Sequence, residues 1–119
     1  MNRIEEKLQQ LKEKGQKAFI TYTTAGLPDL DTTQKLIKAQ EKSGVDIIEL
    51  GVPFSDPAAD GPVIQNASYQ AICNGVTLKK VFHAVEQMRE DGVQIPIIFM
   101  MYYNTVLHYG VKDFVKKCN

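Results

Sequence analysis

Hydrophobic and polar positions follow two periods along this chain, and each switch between them marks an element. Over residues 4–14, Ile4, Leu8 and Leu11 recur at spacings of four and three among charged neighbours, which predicts an amphipathic helix. Gly15 can end it in the left-handed conformation that residues with a Cβ avoid. Residues 18–23 (AFITYT) are β-branched and aromatic and read as a strand. The AGLPD turn follows, and Asp31, Thr32 and Thr33 offer capping oxygens to a second helix running to about Ser43. Its apolar stripe is thin, with Leu36, Ile37 and Gln40, and Gly44 supplies the stop. Residues 45–50 (VDIIEL) are nearly continuous in apolar character, the pattern of a strand covered on both faces in a parallel sheet.

Residues 51–62 (GVPFSDPAADGP) break all regularity, because Pro53, Pro57 and Pro62 remove donors and fix φ. Pro62 suits the first turn of a short helix that ends near Gly75. Thr77 caps a helix over 78–91, where Leu78, Val81, Phe82, Val85 and Met88 form a strong stripe closed by Gly92. A third strand, 95–101 (IPIIFMM), precedes Tyr102–Asn104 and a last helical segment reaching Asn119. Strands joined by helical crossovers imply a parallel α/β arrangement with right-handed connections. Two architectures satisfy that order, a doubly wound open sheet and part of a (β/α)8 barrel. Both place chemistry at the C-terminal ends of the strands. No G-x-G-x-x-G or P-loop pattern favours a nucleotide fold.

Bulk properties narrow the function classes. At 119 residues the chain fits one domain, with 44% hydrophobic and 24% charged residues, an ordinary globular balance. Lys plus Arg and Asp plus Glu number 14 each, so no net field directs the chain to nucleic acid or to an anionic membrane. Lys112, Lys116 and Lys117 fit the solvated outer face of a helix. No signal-peptide stretch opens the sequence, and the longest apolar run, IPIIFMMYY, is strand-sized and far short of a membrane span. Cys73 and Cys118 lie far apart outside any CxxC or CxxH context, so neither a metal site nor a structural disulfide is expected. A cytoplasmic, metal-free protein with reduced thiols follows.

The loop after the second strand holds the candidate chemistry. Alternation puts Ile47 and Glu49 on one strand face and Asp46, Ile48 and Leu50 on the other. A carboxylate set among aliphatic side chains is costly to bury ionised without a partner, and such a setting suits a glutamate to acid/base work. Alternatively, Glu49 turns to solvent at the strand end or pairs with a nearby lysine. Asp56 and Asp60 add carboxylates, although aspartates are also common in turns for conformational reasons. His83 and His108 lie on helical segments, without the Ser or Cys constellation that nucleophilic catalysis needs.

The string IELGVPFSDPAADGPVIQNA (48–67) closely resembles the signature of the tryptophan synthase α-subunit family, in which a strand-end glutamate is followed eleven residues later by Asp-Gly-Pro. FITYTTAGLPD and FMMYYNTVLHYG extend the resemblance over the whole chain. It implies a (β/α)8 TIM barrel, of which residues 1–119 form a single incomplete domain with about three parallel strands and an N-terminal helix. It implies a lyase that cleaves indole-3-glycerol phosphate to indole and glyceraldehyde 3-phosphate without metal or organic cofactor, and a tryptophan synthase β-subunit as partner. The catalytic carboxylates fall on Glu49, as acid and base, and Asp60, as acceptor of the indole N–H. Tyr22 and Met100 match the lining of the indole pocket; ordinary packing is the competing reading for both. Pro53, Asp56, Pro57 and Asn104 match segments that face the β-subunit, and a rigid structural turn competes for the two prolines.

Three positions depart from the family pattern: Ala58 replaces a larger aliphatic, Leu27 a common Asp, and Thr105 a frequent Pro. A barrel of this kind has about eight strands and binds phosphate after strands seven and eight. With three strands counted, the 119 residues are expected to turn over little substrate alone. The alternative is a non-catalytic part-barrel module that self-associates, or complements a second fragment, through open strand edges.

Overall fold

The first helix, α1 (Arg3–Glu13), begins at a capping box: the Asn2 side chain accepts from the Ile4 and Glu5 amides, and the Glu5 carboxylate accepts from the Asn2 amide. It ends where Gly15 adopts a φ of 65°. In the computed structural model, which describes residues 1–119, there follow β1 (Ile20–Thr24), α2 (Leu30–Lys42), β2 (Ile47–Gly51), α3 (Pro62–Cys73), α4 (Leu78–Glu90) and β3 (Ile97–Met100). Two short helices, α5 (Tyr103–Tyr109) and α6 (Val111–Cys118), complete the chain.

The strands are parallel and lie in the order β1-β2-β3, with Tyr22 beside Glu49 and Glu49 beside Ile98. A doubly wound sheet reverses its strand order at a switch point; a barrel adds each strand beside the last. The three strands here add in sequence without a reversal, as a barrel requires of its first strands. Packing agrees, because the apolar cluster occupies one face of the sheet. Ile48 and Leu50 of β2 meet Ile37 of α2 and Val81, Phe82 and Met88 of α4 there, with Ile97 and Phe99 of β3 packed against them. The opposite face carries Ile20, Tyr22 and Met100, which are 46%, 38% and 57% exposed. That concave face corresponds to a barrel interior, and the fold is a partial (β/α)8 barrel. Ile47, deeper on the same face, is 1% exposed, so β2 is buried on both sides at its centre.

Element boundaries moved where side chains captured backbone groups. The strand expected over 18–23 starts at Ile20, because the Phe19 amide donates to the Asp46 carboxylate outside the ladder. The third strand is shorter than 95–101, since the Ile95 amide donates to Glu41 and Pro96 has no N–H. Asp29, rather than Asp31, caps α2 by accepting from the Thr32 amide. Thr33 is buried instead, with its hydroxyl donating to the Asp29 carbonyl and accepting from the Gly26 amide. The last helical segment is two helices, divided at Gly110 with a φ of 101°.

Candidate active site

Glu49 stands two residues before the end of β2, the central strand, with Tyr22 of β1 on one side and Ile98 of β3 on the other. Parallel register places all three side chains on the concave face. Glu49 is half-buried. The chain's four ion pairs, Lys35–Asp31, Lys38–Asp91, His83–Glu86 and Lys117–Glu86, leave it out, so the lysine-paired alternative does not hold.

One step toward the strand ends, Thr24, Gly51 and Met100 form the next row. The Tyr22 ring leans over Gly51, and its hydroxyl lies 3.3 Å from the Thr24 hydroxyl, which donates to it. Tyr22 therefore reaches from the Glu49 row to the rim. Met100 flanks Gly51 on the other side, and its carbonyl accepts from the Val52 amide at 2.9 Å as the chain leaves the sheet.

The loop that follows is tied down at three points. At its start, the Phe54 amide donates to the buried Ser68 hydroxyl (2.9 Å), which donates back to the Phe54 carbonyl (3.1 Å). In its second half, the Gln65 amide group of α3 donates to the carbonyls of Asp60 (2.8 Å) and Pro57 (3.3 Å). Internal turns close between Ala58 and Asp56 and between Asp60 and Pro57. The third tie is Tyr102, directly after β3: its ring stacks on Phe54 with centroids 4.9 Å apart. Its hydroxyl accepts from the Ala59 amide at 2.9 Å and donates to Asp60 Oδ2 at 3.1 Å.

These ties bring Asp60 to the C-terminal side of the sheet, where Glu49, Tyr22 and Met100 also lie. Asp60 is half-buried. Of the candidate contact residues, Asp56 and Asn104 are exposed, while Pro53 and Pro57 are half-buried. Asp56 also accepts from the Ser55 hydroxyl. Asn104 sits in the first turn of α5, two residues beyond Tyr102. The loop and the Asn104 segment are thus joined through the Tyr102 side chain. Thr105, one of the three expected departures, donates its amide to the Tyr102 carbonyl, a bond proline could not make. Ala58 is exposed and Leu27 half-buried. His83, His108, Cys73 and Cys118 are exposed and lie on outer helices.

Sequence reasoning missed Tyr102, Gln65 and Ser68. The first had one available signal, an aromatic with a polar tip at the C-terminal end of a strand. The other two project from α3, and the short-range pattern of that helix does not reveal which face meets the loop. No three His, Cys, Asp or Glu side chains converge as a metal site would require, and no helix is long and apolar enough to cross a membrane.

Residues 8–119 match the family described as tryptophan synthase alpha chain. Among curated proteins, the tryptophan synthase alpha chain of Lachnospira eligens is 64% identical over 118 residues, covering 99% of this chain and 45% of that protein. That of Alkaliphilus metalliredigens is 53% identical, with 99% and 44% covered. Among solved structures, tryptophan synthase subunit alpha from Legionella pneumophila superposes with a TM-score of 0.95 at 40% identity, covering 98% of this chain and 45% of that one. Tryptophan synthase from M. tuberculosis in its aminoacrylate-bound form gives 0.88 at 35%, with 98% and 47% covered. The chain thus spans about 45% of the length of the relatives it matches. By the match over residues 8–119 and these likenesses, the chain belongs to the tryptophan synthase alpha chain family.

Proposed function

We propose that the chain supplies the acid/base half of a lyase site in tryptophan biosynthesis, the site that cleaves indole-3-glycerol phosphate by a retro-aldol reaction. Glu49 delivers a proton to the indole C3 atom, which makes the ring a leaving group. It also removes the proton of the hydroxyl that becomes the aldehyde as the carbon–carbon bond breaks. Indole and glyceraldehyde 3-phosphate are the products. Asp60 accepts the indole N–H and stabilises the positive charge that develops on the ring. Tyr22 and Met100 line the indole site, and no cofactor enters the scheme. Pro53, Asp56, Pro57 and Asn104 meet a tryptophan synthase β-subunit, and the site works in the cytoplasm.

The observation that carries this reading is a half-buried carboxylate without an ion-pair partner. It stands on the central strand of an open concave face, with a second carboxylate tied down beside the strand ends. Barrels of this type anchor substrate phosphate after the seventh and eighth strands. Remote binding energy of that kind holds a reacting carbon against its acid. The 119 residues carry three strands, so by themselves they turn over little or no substrate. An indole-3-glycerol phosphate cleavage assay on the purified chain, with and without β-subunit, tests the scheme. Any turnover must fall on Glu49→Gln, and turnover indifferent to that substitution would sink the assigned role.

A second reading rests on the exposed concave face and the outer edges of β1 and β3. A non-catalytic module would pair those edges with a second copy or a complementary fragment. Light scattering that shows a monomer at all concentrations removes self-association.

A further inference from the structure

From the contacts of Tyr102 we infer that its hydroxyl is a positioning latch for Asp60, so that the indole-binding carboxylate is oriented by a residue outside its own loop. The inference rests on the role proposed for Asp60. Its geometric half is independent of that role, and the test keeps the two apart.

Loop 52–61 is constrained by its two prolines, Pro53 and Pro57, and by Pro62 at the start of α3, but has no regular backbone pairing of its own. Its carboxylate needs an external reference to hold one orientation. The Ser68 tie fixes Phe54, six residues from Asp60, and the Gln65 tie reaches the Asp60 carbonyl, leaving the side-chain torsions free. Only the Tyr102 hydroxyl touches the carboxylate itself, through Oδ2. The tyrosine oxygen also accepts from the Ala59 amide, so one atom fixes both the backbone entering Asp60 and one of its two carboxylate oxygens. Oδ1 is left with no hydrogen-bond partner in the chain and is the oxygen available to an indole N–H. Stacking on Phe54 restricts the Tyr102 ring to one plane, so the hydroxyl is itself pre-placed. A hydroxyl that donates to one oxygen and accepts from the adjacent amide meets the requirement that a working side chain be held by supporting contacts.

The test uses the 119-residue chain, Tyr102→Phe and, as a neighbouring hydroxyl control, Tyr103→Phe; Tyr103 is 64% exposed. Tyr102→Phe keeps the ring and removes the latch. Residue-resolved hydrogen exchange is expected to show the Ala59 amide exchanging about three- to tenfold faster, the range one intramolecular hydrogen bond is worth. Strand amides of β2 and the Tyr103→Phe control should not change. Indole binding supplies the second arm, read from indole's own fluorescence because the chain has no tryptophan. Tyr102→Phe should weaken indole by a similar factor, and that loss should vanish in an Asp60→Asn background, as a double-mutant cycle reveals for a residue acting through another. An unchanged Ala59 rate overturns the latch, and additive losses in the cycle overturn its action through Asp60. A wild-type chain that fails to bind indole, with Ala59 released as expected in Tyr102→Phe, supports the latch and counts against the function proposed above.

Discussion

The Tyr22 hydroxyl fills the space that a Cβ on Gly51 would need: a methyl built there lies 2.0 Å from it and 2.6 Å from the ring carbon that bears it. The two residues sit on adjacent strands, one row apart on the concave face. Gly51 therefore does more than permit a turn after β2. It lets an aromatic from β1 cross the end of the central strand beside Glu49.

Gly51→Ala is expected to displace Tyr22 rather than break the sheet. The clashing atoms are the far end of a side chain on an open face, 38% exposed, and can rotate away at the loss of the Thr24 contact. Overpacking against fixed neighbours costs about 1–3 kcal/mol; here the low end, about 1 kcal/mol, should hold. Urea unfolding of Gly51→Ala, Tyr22→Ala and the double variant checks this. The alanine penalty should disappear when Tyr22 is already absent, and a penalty that persists would place the strain in the backbone.

Much of this arrangement is legible in the chain's pattern. The nearly continuous apolar run around Ile47, Ile48 and Leu50 reads as a strand covered on both faces, and Glu49 stands out as a carboxylate set among those aliphatic side chains. Period alone leaves two parallel architectures open, because strand order is a long-range property; the β1-β2-β3 ladder shows no reversal, and the likeness to tryptophan synthase subunit alpha at a TM-score of 0.95 identifies the barrel. Tyr102 stayed hidden for the same reason, since its partners lie 42 and 43 residues away in sequence. Strand ends were misjudged where carboxylates, such as Asp46 and Glu41, took amides that the pattern assigned to the ladder.

Glu41 offers a direct measure of such a long-range tie. One carboxylate oxygen on α2 accepts from the amides of Gln94 (2.8 Å) and Ile95 (2.5 Å), while Arg89 donates to the carbonyls of Val93 and Ile95. Together they hold the entry to β3. Glu41→Ala leaves two amides without acceptors, one of them on the buried Ile95, and should cost about 2–3 kcal/mol. Glu41→Gln keeps an oxygen that can accept both and should cost less than half as much. Chemical denaturation distinguishes the two, and equal losses would assign the effect to charge instead.

Acid should loosen α2 from its N-terminus. The Thr32 amide, donating to Asp29, holds that carboxyl below the ordinary aspartate value, with the Thr32 hydroxyl and Lys35 acting in the same direction. A folded-state value below the unfolded one means that this contribution is complete above about pH 4, the ordinary aspartate range, and disappears as pH falls through the lowered value. Asp29→Asn keeps a capping oxygen without a titrating group. The stability difference between wild type and Asp29→Asn should therefore shrink between about pH 5 and pH 2. A difference that stays constant over that interval would remove Asp29 from the acid response.

The loop's two side-chain ties outside Gln65 should fail separately. Ser68 is 5% exposed and exchanges hydrogen bonds with both backbone groups of Phe54, whereas Tyr102 holds Ala59 and Asp60. Ser68→Ala strips the Phe54 amide of its acceptor and should cost about 1–2 kcal/mol. Its effect on exchange should be greatest at the Phe54 amide, with Ala59 still protected by the Tyr102 hydroxyl. The Phe54–Tyr102 stack is the one path by which the first tie could reach the second. If Ser68→Ala accelerates Phe54 and Ala59 equally, that stack welds the loop into one cooperative unit. If Phe54 alone is released, the Asp60 end of the loop keeps its orientation while the Pro53 end moves.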